Sequence, residues 1–223
     1  MKHSVKLSLA VMALAAGTAA QAQSAGSLMA RVGVMRISPS VTSDDLTPPS
    51  FPGTKVDMDS ATPLTGGMTY MVSDHFAVDI PVALPSRYNI TGAGAIAGVG
   101  RLADAKVMPI SVLAQYRFGE ANAKFRPYVG AGPTYAKFFK ERSANTLTAL
   151  SGGTPANPTT FSIESKLVPT LQLGATMALN DRWFVDAMVA RTWLKTHARL
   201  STGQTLGVRL DPTSVALTVG YRY

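Results

Sequence analysis

Three observations predict an all-β fold, an eight-stranded antiparallel transmembrane up-and-down β-barrel. The stretch from Ile110 to Phe139 reads as two runs of alternating polarity joined by a polar segment holding Gly119, Asn122 and Lys124. Each run exceeds the about 5–6 residues of a globular strand and suits the roughly 9–11 of a tilted strand crossing a bilayer. Long and short connections alternate along the chain, which puts every long one at the same end, as in outer-membrane barrels. Beyond residue 22 no apolar run reaches the roughly 18 residues of a transmembrane helix, so a membrane form of this chain crosses with strands.

Residues 1–22 read as a signal peptide and 23–223 as the barrel. Lys2 and Lys6 precede an apolar run from Leu7 to Ala16 that is too short to span, and Ala20-Gln21-Ala22 supplies a small-x-small cleavage site. The chain has no cysteine, which removes disulfides, thiol catalysis, cysteine metal sites and a lipid-attachment cysteine. Losing Lys2 and Lys6 lowers the formal charge from +8 to +6. Export and the scatter of Lys and Arg argue against nucleic acid, and leave anionic lipid headgroups or anionic solutes as the counterparts.

The first strand is Leu28 to Ser38, with Leu28, Ala30, Val32 and Val34 sharing one parity. A loop-like stretch from Ser40 to Thr62, broken by prolines and aspartates, leads to a second strand at Leu64–Val72. Ser73-Asp74-His75 makes a short turn, and Phe76, Val78, Ile80, Val82 and Leu84 form the third strand. Ser86 to Asp104 reads as a long Gly-rich loop; it lacks the Gly-Lys-Ser/Thr ending of a phosphate loop. The Ile110–Phe139 hairpin supplies strands four and five, followed by a third long loop from Lys140 to Thr160. Leu167–Leu179, Trp183–Trp193 and Thr213–Tyr223 complete the set, separated by the Asn180-Asp181-Arg182 turn and a fourth long loop from Thr196 to Leu206. Tyr70, Phe76, Tyr116, Phe118, Phe125, Trp183, Tyr221 and Tyr223 cluster near the short turns as one interfacial girdle, and Phe138, Phe139, Phe161 and Trp193 are candidates for the other.

The opposite parity faces the interior. It holds the charges Arg31, Asp79, Arg117, Arg126 and Asp186, which must pair or meet water. It also holds Met29, Met35, Met71, Leu113, Tyr128, Phe184 and Met188, the candidate lining of a narrow hydrophobic channel. An eight-stranded barrel is just wide enough to be filled by side chains or to hold one small ligand. Pro81, Pro109, Pro127, Pro133 and Pro169 fall inside strands, where each removes a ladder donor, and these are the candidate breaks in the wall.

Catalysis has little support in the residues. Of the two histidines beyond the leader, His75 falls in a short turn and His197 in a long connection, with Ser201 and Asp211 within reach in sequence. No ligand spacing suggests a metal, and no cofactor is expected.

Phe125-Arg126-Pro127-Tyr128-Val129-Gly130-Ala131-Gly132, followed by Tyr135 and Phe138-Phe139, resembles the fifth-strand signature of the OmpW family of outer-membrane proteins. Val107-Met108-Pro109 with Gln115-Tyr116-Arg117-Phe118 is similar to the strand before it, and Arg31-Val32-Gly33, Leu210-Asp211-Pro212 and Tyr221-Arg222-Tyr223 extend the likeness over the mature chain. The chain departs from the family pattern at Met108, where a second proline is common, at Ser86 after Pro85, and at the terminal Tyr223 in place of Phe. The resemblance implies a monomeric barrel of the bacterial outer membrane, surrounded by its lipids and inserted by the barrel-assembly machinery through the strand ending at Tyr223. It also implies uptake of small hydrophobic solutes with sideways release into the membrane. A structural or surface-interaction barrel and a weakly anion-selective pore are the competing expectations.

Overall fold

The computed structural model describes residues 23–50 and 52–223, so the predicted leader lies outside the described residues. In chain order the elements are β1 (Leu28–Ser38), β2 (Thr42–Ser43), β3 (Thr54–Met58), β4 (Leu64–Met71), β5 (Phe76–Ala83), β6 (Ser86–Gly94), β7 (Arg101–Ser111) and β8 (Leu113–Arg117). There follow β9 (Phe125–Ser143), α1 (Asn145–Leu150), β10 (Phe161–Ile163), β11 (Lys166–Ala178), β12 (Trp183–Thr192), β13 (Lys195–Leu200), β14 (Thr205–Arg209) and β15 (Thr213–Arg222).

Eight antiparallel staves close the barrel. β1 pairs with β4, β4 with β5, and β5 with a stave made of β7 and β8; then β9, β11, β12 and β15 follow, and β15 returns to β1. Closure leaves no edge for lipid to desolvate. The alternation read from the sequence is the alternation of burial: in β5, Phe76, Val78, Ile80 and Val82 face outward while Ala77, Asp79, Pro81 and Ala83 face in. No helix among the described residues is long and apolar enough to cross a membrane.

The girdle at the short-turn end is a chain of edge-to-face aromatic contacts, Phe76–Tyr116–Phe118 on one side and Trp183–Tyr221–Tyr223 on the other. At the opposite rim the expected girdle is thinner. Trp193 and Tyr135 face outward there, whereas Phe138 is buried with Ala136 and Val168, because it shares its parity with inward-facing Thr134.

The largest difference from the sequence reading is at the long connections. Stretches expected as loops are strands that carry the staves past the apolar band: β6 continues β5 beyond Leu84 and Pro85, β9 runs on to Ser143, and β10, β13, β14 and β2 form a separate four-stranded sheet above β11 and β12. The Gly-rich stretch is the tip of the β6–β7 hairpin, where Gly98 and Gly100 take positive φ values of 85° and 83° that side chains disfavour. These strands lack a long alternating apolar pattern, and backbone pairing holds them instead, within the β6–β7 and β13–β14 hairpins and between distant β3 and β6.

Candidate functional site

The interior is stacked in three layers. At the short-turn end lies a floor of buried charged and amide side chains. Arg117 donates to the side-chain oxygens of Gln23 at 2.7 Å, Thr176 at 3.0 Å and Gln115 at 3.1 Å, and its guanidinium lies 4.8 Å from the centre of the Tyr128 ring. Arg126 donates to the main-chain oxygens of Gln23 at 2.8 Å and Asp74 at 2.6 Å. Arg117 and Arg126 are both fully buried. Buried charges of this kind require several partners each, and here Arg117 finds them in β8, β9, β11 and the segment before β1, Arg126 in that segment and the short turns.

Just above, Arg31 meets Asp79 at 2.8 Å and also donates to Thr69, whose hydroxyl donates in turn to Asp79 at 2.7 Å. Asp186 accepts from Tyr128 at 3.0 Å and from Thr176 at 2.9 Å, and Gln115 donates to Gln172 at 2.8 Å. Tyr128 fits only because Gly174 faces it: a Cβ at Gly174 would lie 2.5 Å from the phenol oxygen. The five charges expected inside are all here, along with Gln23, Thr69, Gln115, Gln172 and Thr176, which sequence reasoning did not single out. Four of those five share the inward parity of their strands. Gln23 precedes β1, and no pattern marks it.

The second layer is a small cavity of about 50 Å³ above this network, touched by Met35, Pro81, Pro109, Leu113, Gln172 and Met188. A row of hydroxyls crosses one side of it, with Ser111, Thr134, Thr170 and Thr192 linked at 2.7, 2.6 and 2.8 Å. The third layer is an apolar chamber in the extension, about 90 Å³, enclosed by residues such as Val56, Ile90, Leu102, Phe161, Leu206 and Val208. Met58 lines this chamber and packs against Met35, Tyr88 and their neighbours below, so one flexible thioether side chain stands between the upper layers.

The seven candidate lining residues divide between levels. Met35, Leu113 and Met188 touch the small cavity, while Met29, Met71 and Phe184 are packed at floor level and Tyr128 belongs to the polar network. The wall prolines also separate. Pro81 and Pro109 face in; Pro127, Pro133 and Pro169 face out. They leave one interruption: the β7–β8 stave breaks at Val112, and the pairs that Val112 and Ser111 would make with Ile80 and Pro81 are missing. Across the next ladder Pro133 and Gly132 face the same break, and a Cβ at Gly132 would lie 2.1 Å from the Val112 carbonyl oxygen. At Pro127 and Pro169 the β9–β11 ladder continues without a shift.

The architecture is shared with known proteins, and residues 24–223 match the model of the OmpW family. The chain belongs to the OmpW family. It is 32% identical over 226 residues to outer membrane protein W of Escherichia coli, with the whole of both chains covered. The solved structure of OprG from Pseudomonas aeruginosa superimposes with a TM-score of 0.81 at 28% identity, covering 91% of this chain and 98% of OprG. A third relative, the dibenzothiophene metabolism operon protein PahQ of Pseudomonas aeruginosa, is 27% identical over 175 residues, 77% of this chain and 76% of its own length.

This OmpW-family chain is therefore a barrel of the bacterial outer membrane, and lipid covers its apolar band. The relatives called outer membrane protein W are named as membrane proteins, and none of the relatives' names indicates an enzyme. His197, Ser201 and Asp211 are each engaged apart from one another. His197 lies 4.0 Å from Glu164, the Ser201 hydroxyl accepts from the Thr160 N–H, and Asp211 accepts from the Leu194 N–H at 2.9 Å. Glu164 is held below the usual carboxylate range, chiefly by the hydrogen bond from Lys166. Among the described residues no group of His, Asp and Glu could hold a metal ion.

Proposed function

We propose that this barrel takes up small hydrophobic molecules from the cell exterior and releases them sideways into the outer membrane. The observation that carries the reading is the stacking of an almost wholly apolar chamber over a floor of fully buried arginines. An apolar solute gains about 25 cal/mol per Å² of surface that it removes from water, so the chamber offers it a favourable stop. Continuing through the floor would strip Arg117 and Asp79 of their partners, which is the costly direction. The way out is through the wall at Val112, where pairs are missing beside the cavity lined by Pro81, Pro109 and Leu113. PahQ takes its name from an operon for an apolar aromatic compound, and that relationship supports the same class of cargo.

The barrel acts as a monomer in this scheme, and Met35, Leu113 and Met188 form the passage between chamber and wall. A transport-free structural or adhesive role, with no enzymatic activity, is the second reading, favoured by the completeness with which side chains fill the floor. The test is uptake of a small hydrophobic fluorophore by vesicles containing the protein. Uptake faster than in protein-free vesicles supports transport, and equal rates overturn it. Anion-selective single-channel currents in the same vesicles would replace it with a pore.

A further inference from the structure

The outer wall carries a second feature, on the β11 side of β9 and next to the break at Val112. Pro133 on β9, Pro169 and Leu171 on β11, and Trp193 beyond β12 border a groove on the lipid-facing surface, almost entirely apolar and floored by Gly132 and Thr170. Two residues past outward-facing Tyr135 stands Lys137, and two past Trp193 stands Lys195, both exposed. Lys166, opposite buried Ala136 in the β9–β11 ladder, has the inward parity instead, and its ammonium is 2.7 Å from Glu164. The lipid-facing side of the groove mouth therefore carries two lysines and no carboxylate of its own strands. Among the described residues neither the Lys137 nor the Lys195 ammonium has a hydrogen bond or ion pair.

These features are ordered along the membrane normal. The groove lies at the depth of acyl chains, Tyr135 and Trp193 at the interface, and the lysines at headgroup level on the side of the long extensions. Short-turn residues at the other rim are mixed in sign, with Asp74, Glu120 and Asp181 beside Lys124 and Arg182. One kind of molecule joins phosphate to acyl chains in that leaflet. We propose that the β9–β11–β12 wall binds a phosphorylated glycolipid of the outer leaflet, its phosphate on Lys137 and Lys195 and one acyl chain in the Pro133–Pro169–Trp193 groove. A free anion would leave the groove empty. A second copy of the chain would bring its own cationic rim against this one, so like charges oppose that occupant.

The site can be tested with the mature barrel in a nonionic detergent, titrated with bisphosphorylated lipid A and followed by native mass spectrometry. One lipid A retained per barrel is the expected result, with affinity about tenfold or more weaker in a K137Q/K195Q variant. Both side chains are exposed, and an unchanged heat-dependent gel shift checks that the variant is folded. Lipid A freed of its phosphates should lose affinity to a similar extent, and its deacylated phosphosugar should compete poorly. Equal binding by the variant, or by the dephosphorylated lipid, overturns the role of the lysines. Equal competition by the deacylated sugar overturns the groove.

Discussion

Pro133 and Pro169 face each other across the β9–β11 ladder, and neither removes a hydrogen bond from it. The Pro133 carbonyl accepts from the Val112 N–H at 3.0 Å on one side, and the Pro169 carbonyl accepts from the Trp193 N–H at 3.1 Å on the other. In an antiparallel strand a residue's nitrogen and carbonyl point the same way, so the missing donors fall in the two flanking ladders. Restoring one of them has a readable consequence. Pro133→Ala supplies an N–H towards Val112 and should stabilise the barrel by about 0.5–1.5 kcal/mol, measured by urea unfolding in lipid vesicles. Uptake of a hydrophobic fluorophore should slow in the same variant. Stabilisation with unchanged uptake would place the exit elsewhere.

The Arg31–Asp79 pair is buried on both sides, at 4% and 0% side-chain exposure. Asp79→Asn leaves the guanidinium without its counter-charge and should cost about 3–5 kcal/mol of unfolding free energy. Arg31→Met combined with Asp79→Asn should recover most of that loss, because no unpaired charge remains. Failure of the double variant to recover would show that the loss comes from Thr69 and packing rather than from charge.

Arg117 joins Gln23, Gln115, Thr176 and Tyr128 in the floor. Arg117→Ala removes one of the two largest fully buried side chains and opens a polar gap that water can enter. Planar-bilayer recordings should then show ionic conductance above that of the unaltered barrel. Conductance equal to that of the parent would mean that the remaining arginines suffice to close the floor.

Tyr88, on β6 outside the apolar band, is buried among Met35, Ile37 and Ala83, and this desolvation pushes its phenol up to about 12. An unfolded tyrosine ionises near about 10. The raised value means that Tyr88 contributes stability in full below about pH 10 and loses it as pH rises through about 12. Absorbance titration of a Tyr88→Phe variant against the parent should reveal one phenol missing from the late part of the curve.

The barrel was legible because one face meets lipid and the other does not. Parity alone located Arg31, Asp79, Arg117, Arg126 and Asp186 inside, and it separated Phe76 and Val78 from Ala77 and Asp79. The extension was hidden for the complementary reason. In Ser86–Gly94 only Tyr88 and Ile90 mark an apolar parity before Gly92 and Gly94 interrupt it, and its order comes from pairing with Arg101–Ser111. The sequence named five prolines as candidate breaks without separating them, since that depends on which neighbour a proline nitrogen faces. Pro127 faces β8 as Pro133 does, for its carbonyl accepts from Phe118 at 2.9 Å, yet the Phe118 carbonyl receives the Nε–H of Arg126 at 3.4 Å in place of the lost donor. Only the third dimension distinguishes the two.

The floor built from Arg117, Arg126 and Gln23 also bears on how many copies an envelope tolerates. A sieve that admits every small solute leaks ions in proportion to its number, so a cell must ration it. On the proposed function, a barrel whose base is stoppered by its own side chains adds greasy permeability without adding leak. Such a protein can be abundant while the periplasm keeps its ionic composition.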